Sequence, residues 1–306
     1  MKLAEKAAQR YILTLLVILQ SAIVVTGGAV RLTGSGLGCP TWPQCSGDSY
    51  KPVPHQSQGQ LHAWIEFGNR LITVLLVLVI LLAALGALIW ARTFPRREKR
   101  KIQALALAQI LGIVGQIVLG GITVLTHLNP VAVASHFLLS IVVIAAALSL
   151  RNRLLGTPRY VVERPIRELA QAIFFLTAFV ITLGTLVTGS GPHAGDISAK
   201  RFPFDARTVA WLHADSVIAL IAFSIGLYLL FYVQKSQVEL KNKVGQFIAI
   251  SLGQGLIGYT QFFTHLPELL VAAHLLGATL LWLSICDFAF ASHALTPKKN
   301  LSHDPR

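Results

Sequence analysis

Residues 115–136 read GQIVLGGITVLTHLNPVAVASH, and residues 253–274 read GQGLIGYTQFFTHLPELLVAAH. At a constant offset of 138 positions, Gly115, Gln116, Gly120, Thr126, His127, Leu128 and His136 fall on Gly253, Gln254, Gly258, Thr264, His265, Leu266 and His274. The repeat sets one histidine inside an apolar stretch in each half of the chain. An ionisable side chain in such a stretch is costly to hold and marks a functional site by default. Two more histidines, His62 and His213, also stand in apolar stretches. Each imidazole can give one axial bond to iron, and a four-helix unit with facing histidines supplies an apolar slot for a porphyrin. His62, His136, His213 and His274 are therefore the candidate haem-iron ligands. Ala214 beside His213, and Gly277 and Ala278 after His274, leave room for a flat ring; helix packing alone favours small residues equally. Zinc or copper would more typically recruit Cys or carboxylate beside His, and the sequence holds no such tight cluster.

The two halves differ in what accompanies these histidines. In QLHAWIEFGNR, His62, Glu66 and Asn69 follow i, i+4, i+7 spacing and share one helix stripe, with Arg70 beside them. The matching stretch VAWLHADSVIAL has Asp215 and Ser216 instead. A carboxylate near a haem can move protons or steady a developing positive charge. The alternative is an i, i+4 ion pair between Glu66 and Arg70. His127 and His265 precede His136 and His274 by nine residues, about 13 Å along a helix. They are too far away to share an iron and are read as interfacial. Cys39 and Cys45 flank a short loop, GCPTWPQC. A disulfide suits that loop, as a staple or as a redox pair.

These side chains need elements to hold them, and the composition says which. Of 306 residues, 54% are hydrophobic and 13% charged, a balance that fits a polytopic membrane protein. Eight apolar stretches are long enough to span: about 11–30, 61–90, 102–126, 131–150, 168–188, 208–233, 244–263 and 269–291. The expected fold is an all-α membrane protein of eight transmembrane helices in two pseudo-symmetric four-helix bundles. The halves are 1–155 and 156–306, joined by a basic linker at 151–167. Four spans per half insert both halves the same way, so the symmetry axis runs along the membrane normal. The first span is expected to remain uncleaved. The loops 31–60 and 189–207 are long enough to act as lids, and the polar tail from 294 is expected to be disordered.

A net charge of +13 suggests nucleic acid, but its distribution excludes that partner. All but six of the 26 basic residues sit on one side of the spans. The exceptions are Arg31, Lys51, Arg70, Lys200, Arg201 and Arg207. The positive-inside rule then puts both termini in the cytoplasm of a cell-membrane protein. A soluble nicotinamide dehydrogenase is excluded by the lack of a dinucleotide-binding pattern. A parallel-repeat transporter would break its spans near the midplane, whereas the glycines here cluster toward the external ends.

Over nearly its whole length the chain resembles the heme A synthase family. The likeness rests on the repeated four-span halves, TGGAVRLTGSGLGCPTWPQC, EFGNR and the embedded histidines. It implies oxidation of the C8 methyl of haem O to a formyl group, giving haem A for cytochrome oxidases. It implies haem b in the C-terminal half on His213 and His274. The N-terminal half becomes the substrate half, with Glu66 catalytic and His136 a ligand, and the cysteine pair matches Cys39 and Cys45. Many members have histidine where this chain has Asn69, and His62 is the expected substitute ligand. Asn69 and Arg70 are expected to line the haem site. Expected partners are haem O, the haem O synthase that supplies it, membrane lipid, an electron acceptor and further copies of the chain in a homo-oligomer. The rival reading is a bis-histidine membrane b-type cytochrome that only transfers electrons.

Overall fold

The computed structural model describes residues 3–56, 59–235 and 237–294. It contains eight long helices: α1 (Leu3–Leu32), α2 (Gln60–Trp90), α3 (Arg96–Leu125), α4 (Pro130–Leu155), α5 (Arg164–Ser190), α6 (Ala206–Val233), α7 (Val238–Phe263) and α8 (Glu268–Ala291). Among the described residues, seven are long and apolar enough to cross a membrane. α7 is the exception to the expected eight spans. At 26 residues it has the length, but Gln246, Ser251, Gln254 and Gln261 reduce its apolar character. Ser251 and Gln254 are buried, so part of that polarity faces inward. The chain is a multi-pass membrane protein, and its exposed leucines, such as Leu71, Leu78, Leu82 and Leu85 on α2, suit contact with lipid tails.

Within 1–155, α1 packs on α2, α2 on α3, α3 on α4 and α4 on α1; α5 to α8 touch in the same cyclic order. Contacts of α1 with α8, α4 with α8 and α4 with α5 join the two sets. One core, with Leu13, Leu16, Ile80, Ile102 and Leu150, lies in the first set. The other, with Ile173, Leu220, Phe231, Phe247 and Ile285, lies in the second and takes in Ile141 and Ile144 of α4. Several polar groups inside find partners across helices, which a bilayer favours. Gln20 donates to Gln109 at 2.5 Å, and Gln109 to the Val143 carbonyl at 3.2 Å. The Trp282 indole donates to the Ile141 carbonyl at 2.7 Å, across the two sets.

The linker forms a short strand, β1 (Tyr160–Val162), parallel to β2 (Ser292–Ala294) after α8. The chain therefore stays ordered through 294, and the rest of the expected polar tail lies outside the described residues.

At the other end, the two long loops meet: the Gly36 amide donates to the Gly195 carbonyl at 2.9 Å. Leu37, Leu128, Ala194 and Ala199 form a small apolar cluster there. Asp205 starts α6, accepting from the Thr208 hydroxyl and amide, each at 2.7 Å. Those bonds hold its carboxyl below its usual pKa. The repeated Thr-His-Leu segments both turn through left-handed backbone, with φ of 52° and 59° at His127 and Leu128 and 65° and 60° at His265 and Leu266. The turns close alike, Leu128 donating to the Thr123 carbonyl at 2.8 Å and Leu266 to Gln261 at 2.7 Å.

Candidate functional site

Helix starts set the level of the site. Glu66 lies six residues after Gln60 in α2, His136 six after Pro130 in α4, His213 seven after Ala206 in α6 and His274 six after Glu268 in α8. At about 1.5 Å per residue, all four lie about 9–11 Å below the starts of their helices. Alternating spans put those starts on one side, so the four share a layer. A cavity of about 1,330 Å³ runs through that layer, larger than the ~300–1,000 Å³ typical of a site for one small ligand. Glu66, Asn69, Arg70 and His136 line it from one half, and His213 and His274 from the other.

Three of the imidazoles rest on glycines of a neighbouring helix. A Cβ on Gly120 would stand 3.4 Å from His136 Cε1, one on Gly184 3.4 Å from His213 Cε1, and one on Gly258 3.4 Å from His274 Cε1. Asn69 lies over Gly27, its amide nitrogen 3.9 Å from the corresponding point. Ala214 and Ala278 also line the cavity. Gly277, expected to make room for a ring, instead makes room for protein, since its Cβ would meet Gln254 Nε2 at 1.6 Å.

The hydrogen bonds of the histidines show what they can hold. His213 Nδ1 lies 3.0 Å from the Val180 carbonyl. A carbonyl only accepts, so Nδ1 carries the proton and Nε2 keeps its lone pair. Nδ1 of His136 and of His274 is buried without a partner among the described residues, the kind of unmatched group that asks for an explanation outside the protein. The His213 and His274 ring centres are 6.4 Å apart. A metal–imidazole bond of about 2.0 Å, plus about 1.2 Å from nitrogen to ring centre, puts two imidazoles on opposite sides of one metal about 6.4 Å apart. The pair therefore has the spacing that two imidazoles would need to hold one metal ion between them.

His62 does not belong to this layer. It is only two residues into α2, at the rim, and does not line the cavity. Its Nδ1 is hydrogen-bonded to Ser35 Oγ at 3.0 Å, and its backbone presses on Gly38, whose Cβ would meet the His62 carbonyl at 2.3 Å. The shared stripe with Glu66 is real, but one helical turn separates the two in height. Asn69 faces the cavity and accepts from Thr26 Oγ1 at 2.8 Å.

Glu66 is buried and held at both oxygens. Arg70 Nη2 donates to Oε1 at 2.6 Å, and the Cys39 amide to Oε2 at 2.7 Å. Cys39 and Cys45 form a disulfide. Arg70 gathers that loop, donating to the carbonyls of Cys39 (3.1 Å), Thr41 (3.2 Å) and Gln44 (3.0 Å), with its guanidinium over the Trp42 ring at 5.2 Å. Spacing alone indicated the ion pair; the loop's dependence on Arg70 had no local signal. His193 was also missed: it lines the cavity, with Nε2 2.9 Å from the Leu266 carbonyl.

Comparison with known proteins converges on one group. Heme A synthase of Rhodopseudomonas palustris (strain BisB5) is 31% identical over 202 residues, covering 58% of this chain and 56% of that protein. Heme A synthase of Geobacillus thermodenitrificans is 30% identical over 160 residues, 51% of this chain and 47% of that protein. For heme A synthase of Bradyrhizobium sp. (strain BTAi1 / ATCC BAA-1182) the figures are 31% over 212 residues, 60% and 58%. The chain thus spans about half the length of the curated relatives it matches. The COX15-CtaA family, cytochrome oxidase assembly protein, matches residues 10–286. With nearly all of the spanning region inside that match, the chain belongs to the COX15-CtaA family.

Proposed function

We propose that the chain is a heme A synthase, oxidising the C8 methyl of haem O to a formyl group. One observation carries the reading: a single cavity is lined by the buried carboxylate of Glu66 and by His136 from residues 1–155, and by His193, His213 and His274 from 156–306. The names of the relatives support the same activity.

In this reading the N-terminal half, 1–155, takes the substrate and the C-terminal half, 156–306, holds haem b. His136 binds the iron of haem O. Asn69 and Arg70 shape the same wall, and His62 anchors the outer loop rather than iron. Glu66 accepts a proton released as the methyl group is oxidised, or steadies the positive charge that develops there. Its oxygens, each with one donor in place, retain lone pairs for that task. Arg70 and the Cys39 amide orient the carboxylate, and the disulfide loop covers it against water. His213 and His274 would hold haem b, with the Val180 carbonyl setting the His213 tautomer. Haem b, when bound, supplies reversible one-electron transfer. Overall, methyl plus water gives formyl, four protons and four electrons, and the electrons leave to an external acceptor. Haem O, delivered by its synthase, enters from the membrane, and both termini face the cytoplasm.

Glu66→Gln tests the assignment while keeping the shape of the side chain. Haem A production should fall by about a hundredfold or more, with haem b content unchanged. Unchanged haem A yield would remove Glu66 from the mechanism. If the wild-type protein carried haem b alone and made no haem A, the chain would instead be a b-type electron carrier.

A further inference from the structure

The cavity wall is unbalanced in charge. Arg31, Lys51, Arg70 and Lys200 line it, against the carboxylates Asp48 and Glu66. Glu66 belongs to Arg70. Among the described residues, neither Arg31 nor Lys200 forms an ion pair within the protein. Arg31 is the more telling of the two. It ends α1 at the same side as the starts of α6 and α8, and reaches across to α5, donating from Nη2 to the Thr188 carbonyl at 2.5 Å. Its Nε is buried with no partner. A guanidinium has five N–H donors in a fixed fork suited to a carboxylate, and a buried cationic donor left unmatched is expensive. Arg201 cannot relieve it. That side chain is a like charge, turned to its own loop, where it donates to the Ala199 and Pro192 carbonyls at 2.8 and 2.7 Å.

The loop that carries Lys200 packs against the backbone and side-chain base of Arg31: a Cβ on Gly195 would lie 3.7 Å from both the Arg31 Cα and its Cγ. Gly195 has φ of +95°, a conformation that suits glycine. Arg31 thus stands above the layer of His213 and His274, inside the rim, with spare donors and no anion.

We propose that Arg31, aided by Lys200, is a carboxylate-binding site for the acidic side chains of the porphyrin held by His213 and His274. The inference rests on the haem reading above and adds an orientation to it. The acid-bearing edge of the ring points to the outer rim, and the opposite edge points toward the middle of the bilayer. A charge-assisted fork at this position also ties α1 of one half to the ligand of the other.

The test is binding, not turnover. The full chain, purified in detergent from haem-depleted cells, is titrated with iron protoporphyrin and with its dimethyl ester, read by the absorption of the ligated iron. The wild type should bind the free acid about tenfold to a hundredfold more tightly than the ester. Arg31→Gln should erase most of that preference while binding the ester as the wild type does, which also shows that the variant is folded. Adding Lys200→Gln should erase the remainder. A wild type indifferent to esterification, or an Arg31→Gln protein that still discriminates fully, overturns the carboxylate site and leaves the haem reading intact. Failure of both porphyrins to give a ligated spectrum overturns the haem reading, and this inference with it.

Discussion

At the scale of single residues, height along a helix decides which polar groups share the cavity. His62 and Glu66 lie on one stripe of α2, yet His62 is two residues from the helix start and Glu66 six. That difference of about 6 Å separates a loop anchor from a cavity group. His62→Ala should leave haem content and the absorption spectrum unchanged. It should cost only the Ser35 hydrogen bond, about 0.5–1.5 kcal/mol of stability. Loss of the ligated-iron spectrum in that variant would restore His62 as a ligand. The stripe was legible from i, i+4, i+7 spacing, and the second apolar stretch, read from about 61, begins within one residue of the observed Gln60. The level of the cavity below that start was not legible, because it is set by how the other helices pack around it.

At the scale of helices, the His-over-Gly contact is the recurring device. Each even-numbered helix from α4 onward brings an imidazole, and the odd-numbered helix before it supplies the glycine. Gly120 and Gly258 were visible as repeated residues, but their purpose was not, since which residue faces a glycine is fixed by helix rotation. The prediction is graded. At 3.4 Å from His274 Cε1, an alanine at Gly258 is tolerated with a shift of a few tenths of an ångström, whereas the branches of valine must displace the ring. Gly258→Ala should keep its haem. Gly258→Val should lose the His274 bond, changing six-coordinate iron to five-coordinate in the electron paramagnetic resonance spectrum. Its haem affinity should fall by at least about tenfold, a conservative share of the 1–3 kcal/mol that overpacking costs. Equal spectra for the two variants would mean that the glycine does not set the ring. The helices themselves were readable from apolar run length, and only α7 departs, because its inward-facing Ser251 and Gln254 lower its apolar character. The β1–β2 pair could not have been read: it joins residues more than a hundred positions apart through three-residue strands.

At the scale of the whole molecule, the question is what keeps two four-helix sets in one register, so that both sides of a shared cavity stay aligned. One contact between the sets is α1 on α8. A Cβ on Gly28 would stand 2.0 Å from Leu275 Cδ2, and Leu275 directly follows His274. A larger residue at Gly28 therefore pushes between the halves at the level of the site. Leu275 can rotate away from one methyl, but a branched side chain meets Leu275 Cγ as well, which lies only 3.5 Å from that first carbon. Gly28→Val should lower stability by about 1–3 kcal/mol, read as a drop in the thermal midpoint in detergent, and should weaken haem retention at His274. Gly226 is the control: it sits in α6 with nothing within 4 Å of an added Cβ, so Gly226→Val should change the midpoint little. If both valines lower it equally, the loss reflects glycine replacement in a helix rather than the contact between halves. If Gly28→Val alone does so, while haem at His136 is retained, then the α1–α8 seam aligns the second site specifically.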